Sequence, residues 1–198
     1  MATDTQSAGT APTIYRLDVP KFEVMIDAGV FGDDRVELLG GMLIAMTSNP
    51  PHDFTVIRSA RGLERILPEA DWTVREEKAL RVGRWWRPQP DLAVVRGPDT
   101  AYAARSPTVA DVALLIEVAD STYATDRGAK WRRYAAAGIP AYWIANIGKR
   151  QYEVFTGPTG RGKSARYQDV VAYGEEAEIP VAIDGREFGR IAVRQLFP

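Results

Sequence analysis

Between Val112 and Val118 the chain reads Val-Ala-Leu-Leu-Ile-Glu-Val, an apolar stretch carrying a single acid. Its length and composition are those of a strand buried on both faces, so the sheet that holds it needs covering layers on both sides. Glu117 is then the anomaly, because a buried carboxylate is costly unless a cation or a hydrogen-bonding partner meets it. The alternative is an edge or solvent-facing position, which flanking Leu115, Ile116 and Val118 argue against.

The elements around this strand have a mixed order. Pro20 opens a short helix over Lys21–Ala28, closed by Gly29. Arg35–Met46 (RVELL-GG-MLIAM) reads as a hairpin turning at Gly40-Gly41. Pro50-Pro51 opens a helix to about Leu67, with Val56, Ala60, Leu63 and Leu67 on one face. Strands are predicted at Trp72–Glu76, Ala79–Val82 and Asp91–Arg96, then Val112–Val118. A helix from about Asp126 to Ala137 stops at Gly138 and Pro140, and strands follow at Ala141–Ala145 and Tyr152–Thr156. Beyond these, Gly-rich turns alternate with short strand signals. The order predicts an α/β or α+β fold, a sheet flanked by helices, in one domain over 13–198.

Composition removes whole classes of chemistry. The 198 residues contain no cysteine and one histidine, His52, with a net charge of −1. Disulfides, thiolate metal sites and cysteine nucleophiles are excluded, a histidine-rich metal site is impossible, and a Ser-His-Asp triad would have to use His52. No phosphate-binding glycine loop is present. Carboxylates and lysine remain, and oxygen ligands suit hard cations such as Mg²⁺ or Mn²⁺. Asp91 and Glu117, near the ends of two buried strands, are candidates to converge on such an ion. Asp91 has a competing reading as a turn residue before its strand.

Helical spacing puts Lys130 with Arg127, Trp131, Tyr134 and Gly138 on the side facing the sheet, and Arg132 and Arg133 toward solvent. Lys130 could there orient a water or neutralise a phosphate. An Asp126–Lys130 pair at i,i+4, worth about 0.2–0.5 kcal/mol, explains it equally well.

Pro90-Asp91, Glu117-Val118, the helix with Asp126 and Lys130, then Tyr134 and GIPAYWIAN together resemble the Uma-two family of restriction-endonuclease-like proteins, within the PD-(D/E)xK nuclease superfamily. RVELLGGMLIAM and PPHDF resemble that family's first hairpin and histidine-bearing helix start. The resemblance spans roughly Leu17 to Phe155. It implies a restriction-endonuclease-like mixed central sheet and a metal-dependent endonuclease hydrolysing phosphodiester bonds of DNA with Mg²⁺ or Mn²⁺. Asp91 and Glu117, with Val118 beside them, would be the metal ligands. Glu37 and Lys130 would complete the catalytic set, with His52, Asp120 and Asp126 accessory. His52 has a competing role at the helix start, where a cationic ring opposes the helix dipole, and Glu37 has a competing reading as a polar residue in a hairpin arm.

The chain departs from that pattern in two places. The superfamily lysine usually lies two residues after the acid, where this chain has Ala119, and Lys130 takes its place. Asp120 stands where a serine is common. The rival reading is therefore a catalytically inactive nucleic-acid-binding or assembly module that keeps the fold. Arginine outnumbers lysine 20 to 5, which suits phosphate contacts or reflects base composition alone. Arg81–Pro88 (RVGRWWRP) reads more readily as a hairpin with packed aromatics than as a base-stacking element. Nucleic acid is the expected partner, with a homodimer as an option and no membrane, in the cytoplasm. Residues 1–12 carry no apolar periodicity and read as a disordered tail, not a secretory signal. Trimming them should leave the melting temperature unchanged, and a substantial drop would show that this tail docks.

Overall fold

The computed structural model describes residues 13–198, so the tail predicted over 1–12 lies outside the described residues. Its described residues form four α-helical segments, a π-turn and ten strands, with short 3-10 turns between them. Asp18 caps α1 (Val19–Asp27) by accepting from the Lys21 N–H at 3.3 Å. Strands β1 (Val36–Leu39) and β2 (Met42–Ala45) form the predicted hairpin. Gly40 and Gly41 have φ of +60° and +83°, the left-handed pair that a two-residue hairpin turn requires. Asn49 caps α2 (Pro50–Ile66), accepting from the His52 N–H at 3.1 Å.

The centre is a six-stranded sheet in the order β3 (Trp72–Glu76), β4 (Leu92–Arg96), β5 (Val112–Ala119), β6 (Ala141–Asn146), β7 (Gln151–Thr159) and β8 (Arg166–Tyr173). All neighbours are antiparallel except β5 and β6, which run parallel. A parallel pair needs a crossover. It is supplied by α3 (Tyr123–Thr125), a π-turn over Asp126–Lys130, and α4 (Trp131–Ala136). A second hairpin, β9 (Glu178–Ile183) and β10 (Arg186–Ala192), follows.

Every residue of β5 and β6 is buried, as the apolar run demanded. On one face Val56, Ala60, Leu63 and Leu67 pack over Leu114, Ile116 and Val118, with Ile179, Val181 and Ile191 of the second hairpin beside them. On the other, Tyr134 and Ala135 of α4 pack over Leu115, Tyr142, Phe155 and Tyr167. Two layers thus enclose a mixed sheet, in agreement with the predicted class.

The expected strand Ala79–Val82 is absent. That segment crosses back through Gly83–Trp86, with Leu80 N–H donating to the Pro88 carbonyl and Val82 N–H to the Trp86 carbonyl. Prolines 88 and 90 have no N–H to donate, so a regular ladder cannot form there. Of the two tryptophans only Trp86 packs, against the α4-side core, while Trp85 is exposed with the Arg84 guanidinium 4.6 Å from its ring centroid.

Candidate active site

One step beyond the paired residues Leu92 and Ile116, the antiparallel register sets Asp91 across from Glu117, where facing side chains share one side of the sheet. Asp91 Oδ2 accepts from the Val118 N–H at 2.6 Å, and its Oδ1 lies 3.3 Å from His52 Nε2. The turn-like backbone bond and the site placement, alternatives in the sequence, therefore coexist. Because N–H and C=O of a strand residue point the same way, the Val118 carbonyl faces the same side of its strand, toward β4.

Lys130 stands among the acids. Its Nζ lies 3.1 Å from Glu117 Oε2, 3.2 Å from Glu37 Oε1 and 3.7 Å from Asp126 Oδ1. Glu37 is held from the other side by the Gln89 N–H at 3.1 Å, and Asp126 by the Thr122 hydroxyl at 2.6 Å. The i,i+4 pair and the convergent lysine are again one arrangement. The π-turn makes it so: Trp131 N–H donates to the Asp126 carbonyl five residues back, and the Tyr142 hydroxyl donates to the same oxygen at 3.1 Å. Such insertions are rare and concentrate at functional sites.

Two sequence assignments need adjusting. Arg133 does not face solvent: its guanidinium donates to the Val82 carbonyl and holds the Gly83 turn against α4. The helix-start role of His52 belongs to its backbone N–H, while its ring reaches Asp91. Asp120 is exposed and outside the cluster, tied to Asn49 Nδ2 at 2.7 Å on the cleft rim. Tyr134, read from the sequence only as a sheet-facing aromatic, donates its hydroxyl to Glu117 Oε1 at 2.7 Å. No spacing rule signals that contact.

The electrostatics follow from four carboxylates sharing one ammonium. Burial pushes the Glu117 carboxyl well above its usual range, Lys130 opposes this, and Asp126, Asp91 and Glu37 add to the rise. Burial likewise raises Asp126 to about 6, against the pull of Lys130 and Thr122. For Lys130 burial favours the neutral amine, but Glu117, Glu37 and Asp126 outweigh it and hold the ammonium above its ordinary range. At His52, burial lowers the pKa while Asp91 and then Asp53 more than offset it. The cluster thus carries a surplus of negative charge, which a further cation would relieve.

Among the described residues no three histidine, aspartate or glutamate side chains form a ready metal cage. Mg²⁺ does not require one, since it commonly takes one or two carboxylates and fills the rest with water and substrate phosphate. Asp91, Glu117 and the Val118 carbonyl could offer such an oxygen set, and Asp126 Oδ1 is buried with no hydrogen-bond donor. The donor set fits a hard divalent cation.

A buried carboxylate outside the cluster braces it. Glu153 on β7 accepts from the Tyr123 hydroxyl at 2.7 Å and from Arg127 Nε at 3.2 Å, residues on either side of Asp126. Glu153→Ala should destabilise by about 0.5–1.5 kcal/mol, the net worth of such hydrogen bonds, because the part-exposed Tyr123 and Arg127 can turn to water, and should speed amide exchange over 123–131. Unchanged exchange there would show that the brace is idle.

The Uma2 family model, whose description is "Putative restriction endonuclease", matches residues 19–193. The chain belongs to this family. A solved structure, the 1.96 Å crystal structure of a putative nuclease belonging to DUF820 from Anabaena variabilis ATCC 29413, is similar in fold, with a TM-score of 0.60 at 15% identity over 82% of this chain and 89% of that one. No curated protein matches the sequence. Membership agrees with the resemblance read from Asp91, Glu117-Val118 and Lys130, and the restriction-endonuclease-like sheet agrees with the expected fold. Among the described residues of this Uma2 member, no helix is long and apolar enough to cross a membrane.

Proposed function

We propose that this chain is a metal-dependent endonuclease that hydrolyses phosphodiester bonds of DNA, with Mg²⁺ or Mn²⁺ held by Asp91, Glu117 and the Val118 carbonyl. The observation that carries the reading is the convergence of Glu37, Glu117 and Asp126 around Lys130, with Asp91 lining the same open cleft. When bound, the cation supplies Lewis acidity toward a phosphate oxygen and a water of lowered pKa.

The protein's own groups do the remaining work. Tyr134 fixes one oxygen of Glu117 and leaves the other toward Lys130. The Val118 N–H and His52 orient Asp91 from two sides, a second layer of the kind that sets ligand geometry. Lys130, kept protonated by its carboxylates, presents positive charge where a phosphoryl group gains negative charge in the transition state. Glu37 and Asp126 hold that ammonium in place. Hydrolysis adds water across one P–O bond and leaves a phosphate monoester and a free hydroxyl.

The rival reading, an inactive binding or assembly module, draws on Lys130 being ion-paired on three sides, a network that is closed as it stands. Cleavage of a DNA substrate in Mn²⁺, its loss in EDTA, and its loss in Glu117→Gln with retained folding are the expected results. A folded protein that cuts nothing in either metal would favour the module.

A further inference from the structure

We propose that Arg35 is a substrate-binding residue that takes the phosphate next to the one being cleaved, presented to the cleft by Glu77. This rests on the nuclease reading and adds to it a contact that none of the residues placed in the site so far supplies.

The charge balance of the cleft calls for such a contact. Among the described residues six carboxylates line it against two cationic side chains, Lys130 and Arg35. A nucleic-acid backbone is itself anionic, and proteins hold it mainly by pairing lysine and arginine with its phosphates. Lys130 is buried and shared by three carboxylates. Arg35 differs. Its side chain is 39% exposed and engaged through Nη1 alone, 2.8 Å from Glu77 Oε1. Among the described residues its Nε and Nη2 donate to no acceptor, so that edge of the guanidinium fork is open to a second oxyanion.

Position decides which phosphate it meets. Arg35 precedes Glu37 by two residues, and the Met46 N–H donates to the Arg35 carbonyl, which carries the hairpin ladder back to it. Residues i and i+2 of a strand share one face, about 7 Å apart. Glu37 reaches Lys130, so Arg35 lies one such step from the ammonium assigned to the reacting phosphate. That step is close to the spacing of successive phosphates along a strand.

The backbone singles out Glu77. Its φ is +50°, a left-handed conformation that is uncommon and costly for any residue other than glycine. Its N–H donates to the Asp91 carbonyl at 2.9 Å while its carboxylate holds Arg35. One strained residue thus ties the guanidinium to the segment that carries Asp91. An ion pair more than a third exposed on both sides adds little to stability, so the strain is better accounted for by the place it gives Arg35.

The test uses a fluorescein-labelled DNA duplex, read by anisotropy in Ca²⁺ and by cleavage in Mn²⁺. Arg35→Ala should weaken binding and raise KM by about tenfold or more, with a much smaller fall in kcat, and Arg35→Lys should recover part of the loss. The slope of log affinity against log salt should lessen by about one, the share of a single phosphate. Arg35→Ala also leaves the Glu77 charge uncompensated, so the substitution is repeated in a Glu77→Gln background, where the loss should persist. A loss that vanishes in that background, an unchanged salt slope, or a fall in kcat as large as the rise in KM overturns the inference and leaves the nuclease reading standing. Binding that depends on Arg35 with no cleavage by the wild type upholds it and overturns catalysis. A wild type that neither binds nor cuts overturns both.

Discussion

Lys130→Ala is expected to destroy activity, while Arg132→Ala on the same crossover is expected to leave it near wild type. Each removes one positive charge, so a contribution by general attraction for nucleic acid would make the two losses similar. Their surroundings differ: Arg132 is exposed, and Lys130 contacts three buried carboxylates. Loss of an ammonium that meets charge only in the transition state should cost on the order of a hundredfold or more in kcat. Stability separates them too. Removing one partner of a buried ion pair costs about 3–5 kcal/mol, against about 0.5 kcal/mol at an exposed site.

The pH dependence has a definite sign. Asp126 titrates at about 6 in the folded chain against 3.8 in its ordinary state, and Glu117 is raised as well. Acids with raised folded pKa values contribute stability that is present below the unfolded pKa and lost as pH rises through the folded one. For Asp126 that loss falls between about pH 4 and pH 6 and amounts to about 3 kcal/mol. Without Lys130 the carboxyls shift further upward. The deficit of Lys130→Ala should therefore be small at pH 5 and large at pH 8, as denaturant melts at the two pH values would read. Equal kcat losses for the two variants at saturating substrate would remove Lys130 from the site.

Asp91→Asn should reverse the usual direction of a core substitution. An asparagine oxygen can still accept from the Val118 N–H, and its amide can meet a neutral His52 nitrogen. Meanwhile the charge that helps raise Glu117 is gone. In EDTA the variant is expected to melt at or above the wild type, although most substitutions destabilise. In Mn²⁺ the order should invert. The wild type gains about 2.7 kcal/mol at a hundredfold excess over the dissociation constant, and the variant loses most of that gain. If Asp91 were only a backbone cap, Asn would be silent or destabilising in EDTA, and metal would shift neither protein.

How far the sequence carried depends on how local each signal is. The strand 112–118 was readable because burial on both faces leaves an unbroken apolar run, and α2 because Pro50-Pro51 and the Val56–Ala60–Leu63 stripe are chain-local. Asp91 and Glu117 were readable as acids at strand ends, and Lys130 by helical phase. The failures share a tertiary cause. The π-turn depends on Tyr142, from the following strand, donating to the Asp126 carbonyl, which no pattern within 123–137 encodes. Arg133 turned inward because the Gly83 turn offers it the Val82 carbonyl. The Tyr134–Glu117 bond and the Glu153 brace join residues 17 and 26–30 positions apart, beyond the reach of periodicity. Ala79–Val82 has strand composition but lies opposite two prolines.

The central claim is that these buried carboxylates form a divalent-cation site, and titration calorimetry of Mn²⁺ into the wild type and into Asp91→Asn at neutral pH tests it most directly. The account predicts saturable binding to the wild type, with proton release as the raised Glu117 carboxyl gives up its proton, and binding to the variant weakened at least tenfold. A wild type that takes up no Mn²⁺, or a variant that binds it equally well, would contradict the account.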